Sequence, residues 1–150
     1  MIEIVEDDTD GWSAVGPDLA GVVERAAKAA LGAVEGEVVV LLTDDAVVQD
    51  LNARFRGKDS PTNVLSFPAA EGVGDALGDI ALASGVCRAE ALAQGKTLAD
   101  HLSHLVVHGV LHLLGRDHEE DAEAEAMEAE ERTILASLGV ADPYRSDAQA

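Results

Sequence analysis

Aromatic residues are nearly absent from this chain. They make up 3% of 150 residues, one Trp, one Tyr and two Phe, so Ala, Val and Leu must fill any core, within an apolar fraction of 47%. Cysteine is represented once, by Cys87. That excludes a disulfide within the chain and any CxxC zinc site. Basic residues are few: ten Lys and Arg stand against 29 Asp and Glu, for a net charge of −19. Such a balance argues against a partner gripped by bulk charge, because phosphate binding is driven by Lys and Arg. No run approaches the roughly 18 apolar residues of a membrane span. The start, Met-Ile-Glu-Ile-Val-Glu-Asp-Asp, lacks the basic and apolar regions of a secretory signal. A cytoplasmic protein without membrane attachment is expected, folded as a single domain over 1–150.

The acidic excess is uneven. Glu119 to Glu131 holds eight acidic residues and no basic one, which reads as a solvated helix face. Arg54, Arg56 and Lys58 crowd into five positions, so a local positive patch can exist on an acidic protein.

Hydrophobic spacing predicts mixed structure. Ile2 to Val5 reads as a strand. Pro17 opens a helix whose apolar face runs from Leu19 to Ala30. Glu37 to Thr43 is a β-branched strand expected to be covered on both faces. Asp44 or Asp45 caps the next helix, with Val47, Val48, Leu51 and Phe55 facing inward. After a loop containing Pro61, Asn63 to Phe67 and Leu77 to Ala81 read as strands joined by a long connection. Helices follow over Ser84 to Gln94, Thr97 to Leu114 and Glu119 to Leu138, and the tail at 145–150 is expected to fray. The sum is an α+β domain with a small mixed sheet of about four strands packed with helices.

All five histidines, His101, His104, His108, His112 and His118, fall within eighteen residues. On a helix His108 and His112 share a face one turn apart. Gly115 can take positive φ, end the helix and let the chain bring His118 back as a third ligand. Three imidazoles suit Zn²⁺ and leave the fourth tetrahedral position for water, as in a catalytic site. The metal site is therefore expected at the C-terminal end of this helix, with one ion per chain. His101 and His104 continue the same stripe, where packing is the ordinary role; His104 is also a candidate to support a ligand.

These residues carry a family resemblance. His108-Gly-x-Leu-His112-Leu-x-Gly115-x-Asp117-His118, preceded by Leu51-Asn52-x-x-Phe55-Arg56-Gly-Lys-Asp59-x-Pro61-Thr62-Asn63-Val64-Leu65-Ser66-Phe67-Pro68 and by Leu77-Gly78-Asp79-Ile80, resembles the YbeY family of bacterial endoribonucleases, over about Glu37 to Tyr144. The resemblance implies a zinc-dependent, single-strand-selective endoribonuclease that matures the 3′ end of small-subunit (16S) ribosomal RNA and serves ribosome quality control. It implies that His108, His112 and His118 bind the metal and that Arg56 is required for activity. Ribosomal RNA and the small ribosomal subunit or its assembly factors are the implied partners. Phe55 stands where a tyrosine is common in the family, and Arg116 where an aromatic often precedes the aspartate.

The chemistry is compatible. Zinc polarises a phosphoryl oxygen and acidifies water, and a guanidinium fork matches two phosphate oxygens. Arg54, Lys58 and Arg88 are candidates to guide the RNA backbone, and Phe55 or Phe67 to offer a stacking surface. A protease of the His-Glu-x-x-His type carries its base directly after the first ligand, where this chain has Gly109. Asp117 and Asp79 are candidate carboxylates for orienting an imidazole or the water, and the residues do not choose between them. A zinc hydrolase acting on a non-RNA substrate, such as a peptide or small ester, and a non-catalytic ribosome assembly factor braced by zinc are the alternative readings.

Overall fold

The computed structural model describes residues 1–70, 74–116 and 120–144. Four strands form one sheet: β1 (Ile2–Glu6), β2 (Glu37–Thr43), β3 (Val64–Pro68) and β4 (Ala76–Ala83), in the spatial order β1-β2-β4-β3. β1 and β4 flank β2 in parallel, and β3 closes the edge antiparallel to β4, with Leu65 opposite Ala81 and Phe67 opposite Asp79. Among the described residues five α-helices pack around the sheet: α1 (Leu19–Leu31), α2 (Asp45–Arg56), α3 (Ser84–Ala93), α4 (Leu98–Leu113) and α5 (Asp121–Ser137). The α+β domain with a mixed four-stranded sheet matches the expectation from spacing. No described helix is long and apolar enough to cross a membrane.

The sheet has unequal faces. Val38, Val40 and Leu42 of β2, with Ile80 and Leu82 of β4, are wholly buried against α1 and α4. Each such side chain contributes roughly 1.5–3 kcal/mol relative to an exposed one. The other face carries a smaller core of Val48, Leu65, Ala81 and Ala83, with Val39 and Leu41 beside it only half-buried. The expectation that β2 is covered on both faces therefore holds for one face alone. α2 lies over the second face, with Val86 at the start of α3 packed beside its small core, and the two leave part of that face uncovered.

Trp12 is the largest buried side chain, and its indole N–H donates to the carbonyl of Thr43 at 3.2 Å. This locks the segment after β1 onto the end of β2. Asp44 caps α2 by accepting from the Val47 N–H at 2.9 Å, and Thr97 caps α4 by accepting from the Asp100 N–H at 3.1 Å. Helix α4 is buried nearly all round, from Leu98 to Leu113. It can lie so close to β4 because residue 109 is glycine: a Cβ there would sit 3.0 Å from Cδ1 of Ile80. Gly115 takes φ +90° just past the helix, and the Arg116 N–H returns to the carbonyl of Leu111.

Candidate metal centre and cleft

α4 and β3 define one wall each of an open cleft of about 510 Å³, which is lined by His108 and His112, by Arg56 and Lys58, and by the edge-strand residues Val64, Ser66 and Pro68. Nε2 of His108 lies 3.1 Å from Nε2 of His112. The opposite nitrogen of His108, Nδ1, meets Oε1 of Glu131 at 2.6 Å. A carboxylate only accepts, so the proton sits on Nδ1 and the lone pair of His108 is on Nε2, turned toward His112.

Glu131 reaches this position from α5 and is entirely buried. Its other oxygen, Oε2, receives Nε2 of His104 at 3.0 Å and the hydroxyl of Tyr144. Burial works to raise the pKa of this carboxyl, but the hydrogen bonds from His104, His108 and Tyr144 outweigh it and hold the group at about 2. Tyr144 is shifted the opposite way, upward, by its own burial and by the carboxylate beside it.

The acidic run was expected to be a solvated face, and Glu131 corrects that expectation. Asp121, Glu123 and Glu125 are exposed, but Glu131 is not. It shares a stripe with Met127 and Leu135, four residues away on either side and both buried. That i, i+4 register was readable in the sequence and marks position 131 as inward-facing.

Arg56 ends α2 and donates from Nη2 to the carbonyl of Ser66 at 2.7 Å, with its guanidinium 5.8 Å from the ring centre of Phe67. The loop beyond it is held by buried Asn52, whose amide donates to the carbonyl of Ser60 at 2.9 Å. Asn63 shares Glu90 with His101: its amide donates to Oε1 at 3.0 Å, and Nε2 of His101 meets the same oxygen at 2.9 Å. Burial pulls the His101 pKa below the usual imidazole value, against the opposing effect of Glu90.

The other sequence-predicted residues are distributed unevenly. His108, His112, Arg56 and Lys58 share the cleft. His118 and Asp117 lie outside the described residues, as do 145–150. His104 bonds to Glu131, the carboxylate that also holds His108, and its ring stands edge-on to that of His108 with centres 6.4 Å apart. Asp79 is turned away from His108 and His112: its neighbour Ile80 faces α4 across Gly109, and alternation along β4 turns Asp79 to the opposite sheet face, where it lines a second groove. Arg54 is paired with Asp50 along the outer side of α2 at 3.3 Å, and Arg88 lies near Asp8, so neither lines the cleft. Phe55, expected inward, is 66% exposed. Sequence reasoning missed the Ser66 carbonyl as the anchor of Arg56, and no residue-type signal marks a backbone acceptor.

The donor set suits a metal. Two imidazole nitrogens bound to one tetrahedral zinc at about 2.0–2.1 Å would stand roughly 3.3 Å apart, close to the 3.1 Å found between His108 and His112. Two lone pairs at this distance repel unless a proton or cation lies between them. Among the described residues no group of three His, Cys, Asp or Glu side chains converges as a metal site.

A histidine pair and an anchored arginine share one open cleft on a small α+β domain, an arrangement whose chemistry suits an anionic ester. The family model described as Endoribonuclease YbeY matches residues 9–139. The chain is 54% identical to the Endoribonuclease YbeY of Azorhizobium caulinodans over 156 aligned positions, covering 97% of this chain and 96% of that protein. It is also 54% identical to the Endoribonuclease YbeY of Paramagnetospirillum magneticum, over 89% of each chain. The solution structure of a Thermotoga maritima protein superposes with a TM-score of 0.58 at 29% identity, covering 97% of this chain and 99% of that one. This chain belongs to the endoribonuclease YbeY family.

Proposed function

We propose that this chain is a zinc-dependent endoribonuclease that cuts single-stranded RNA during 3′-end maturation of small-subunit ribosomal RNA and in ribosome quality control, working in the cytoplasm with the small subunit or its assembly factors. The observation that carries the reading is the facing Nε2 atoms of His108 and His112 in the cleft that also holds Arg56. His108, His112 and His118 would hold the ion, which supplies Lewis acidity toward a phosphoryl oxygen or a water.

The chain's own residues do the remaining work. Glu131 fixes the His108 tautomer and ring orientation. Arg56, aimed by the Ser66 carbonyl, presents its other N–H groups to the scissile phosphate, where a guanidinium matches two oxygens and offsets the charge that builds up during cleavage. Lys58 adds a second cation on the backbone path. The cleft is open and follows the free edge of β3, a shape that admits an extended strand. Position 109 cannot supply the base of a peptidase, because it faces Ile80 and has no room for a carboxylate.

The test is cleavage of one RNA as a single strand and as a duplex by wild type, His112→Ala and Arg56→Ala, with bound metal counted in each. Wild type should cut the single strand alone. His112→Ala should lose metal and cutting, and Arg56→Ala should keep metal and lose cutting. Undiminished cleavage by both variants would overturn the reading.

A further inference from the structure

The Glu131 carboxylate does not hold its own orientation. Rotation about the last bond of a glutamate side chain is broad, so the plane in which Oε1 meets Nδ1 of His108 at 2.6 Å is set by what the other oxygen meets. Among the described residues Oε2 has two donors. Nε2–H of His104 reaches it from α4 at 3.0 Å, and the hydroxyl of Tyr144 reaches it from the segment that follows α5. The hydroxyl oxygen also stands 3.4 Å from Nε2 of His104, and the two rings meet edge to face with centres 5.5 Å apart. Each donor therefore fixes the place of the other.

Tyr144 is the only tyrosine of the chain, and the residues before it aim it. Asp142 accepts the backbone N–H of Tyr144 at 2.9 Å and pairs with Arg132 at 3.1 Å, while the Arg132 guanidinium stands 5.3 Å from the centre of the tyrosine ring. Nζ of Lys96 donates to the carbonyl of Pro143 at 3.5 Å. Arg132 directly follows Glu131, so a single turn of α5 sends one side chain inward to the histidines and the next outward to the segment that returns with the tyrosine.

We propose that Tyr144 is a positioning residue of the metal centre, acting through Glu131 on His108, and that Asp142 to Tyr144 form a strap whose docking and metal binding support each other. The proposal rests on the reading of His108 as a metal ligand. Glu131 is wholly buried and His104 stands on a helix packed nearly all round, whereas Tyr144 keeps 40% of its surface in solvent. Of the groups around the carboxylate, the hydroxyl is the one that comes and goes with a surface segment. With it in place, Oε2 is held from two directions and the carboxylate cannot turn without losing a donor. Without it, a buried oxygen keeps one donor where it had two, and the group is free to swing toward His104 and draw Oε1 off Nδ1. Removing the hydroxyl also leaves more charge on Oε1, which makes His108 a slightly stronger base. That gain is lost if Oε1 no longer points at the ring, so orientation decides the sign. By linkage, a docked strap that raises affinity for the ion must be held down by the ion to the same degree.

The experiment uses the full chain, zinc and a competing chelator, and needs no cleavage. Tyr144→Phe removes one oxygen and keeps the ring. It should bind zinc about tenfold more weakly than wild type, the low end of the range for groups that orient a metal-binding imidazole. In a Glu131→Gln background the same change should cost nothing further, because the hydroxyl acts through the carboxylate. A residue that merely stabilised the fold would lower the urea midpoint of the metal-free protein alike in both backgrounds and leave zinc affinity where it was. A second arm follows amide hydrogen exchange at Tyr144: zinc should slow it in wild type and leave it unchanged in Tyr144→Phe.

Equal zinc affinity in wild type and Tyr144→Phe would overturn the proposal, and so would a loss that recurs in full in the Glu131→Gln background. Zinc binding that leaves exchange at Tyr144 unchanged in wild type would overturn the strap. A wild type that binds no zinc would overturn the metal reading of the cleft, and the role of Tyr144 with it.

Discussion

At the scale of single residues, Glu131 carries the most consequence for the least visible signal. Its carboxylate is buried and bonded to His104, His108 and Tyr144. Groups that orient a metal-binding imidazole typically account for 10–100-fold in metal affinity. Glu131→Gln should therefore keep its fold and bind zinc roughly 10–100-fold more weakly in a chelator competition; unchanged affinity would show that His108 needs no orienting partner. His101 makes a separate prediction about pH. It is 3% exposed and faces Glu90, Lys96 and His104, and burial depresses its pKa. The unfolded chain takes up this proton near pH 6.5 and the folded chain does so only at lower pH. Between those values the unfolded state holds more protons, so stability rises with pH and is lost on acidification below about 6.5. The urea midpoint of metal-free protein should fall as pH drops through that range. His101→Gln should lack this part of the fall, and an equal fall in both proteins would contradict the assignment.

At the scale of elements, the close approach of α4 to β4 depends on the missing Cβ at residue 109. The Cβ of alanine there would meet three atoms of the Ile80 side chain at 3.0, 3.1 and 3.3 Å. Alanine gains about 1 kcal/mol in helix propensity over glycine, but overpacking a core costs about 1–3 kcal/mol. Gly109→Ala should destabilise the domain, and Ile80→Val should relieve it. A double-mutant cycle should give a favourable coupling of about 0.5 kcal/mol or more, whereas simple additivity would mean that the helix does not press on Ile80. Most elements were legible from hydrophobic period and capping residues: β2 has the predicted bounds, Asp44 caps α2 as one of the two expected aspartates, and Gly115 takes positive φ just past α4, while Thr97, expected inside that helix, caps it instead. The errors were errors of facing. Phe55 lies on the inward stripe of α2 by spacing, yet α2 ends one residue later at Arg56, and the ring meets Phe67 edge to face while most of its surface stays in solvent.

At the scale of the whole molecule, the proposed function has a chain of net charge −19 meet a polyanion through a cleft that Arg56 and Lys58 line. Two cations on a single strand imply a slope of log K against log salt of only about −1.4. RNA binding measured over a salt series should show that shallow dependence and weak overall affinity. A steep slope would mean that basic residues beyond the cleft take part. Weak intrinsic affinity fits a protein that is brought to its RNA by a partner. Much of the candidate site was present in the linear order of residues, because a helix converts an i, i+4 spacing of histidines into a shared face without help from the rest of the fold. The same holds for the Asp44 cap, the bounds of β2 and the family motif around His108, whereas β4, expected over Leu77 to Ala81, runs from Ala76 to Ala83. Tertiary packing decided what lies far apart in sequence: that Glu131 of α5 closes on His108 of α4, that a strand carbonyl aims Arg56, and that Asp79 faces away from His108 and His112. These are contacts between elements, and their formation depends on which faces pack, a matter of competing burial over the whole chain rather than of any local spacing.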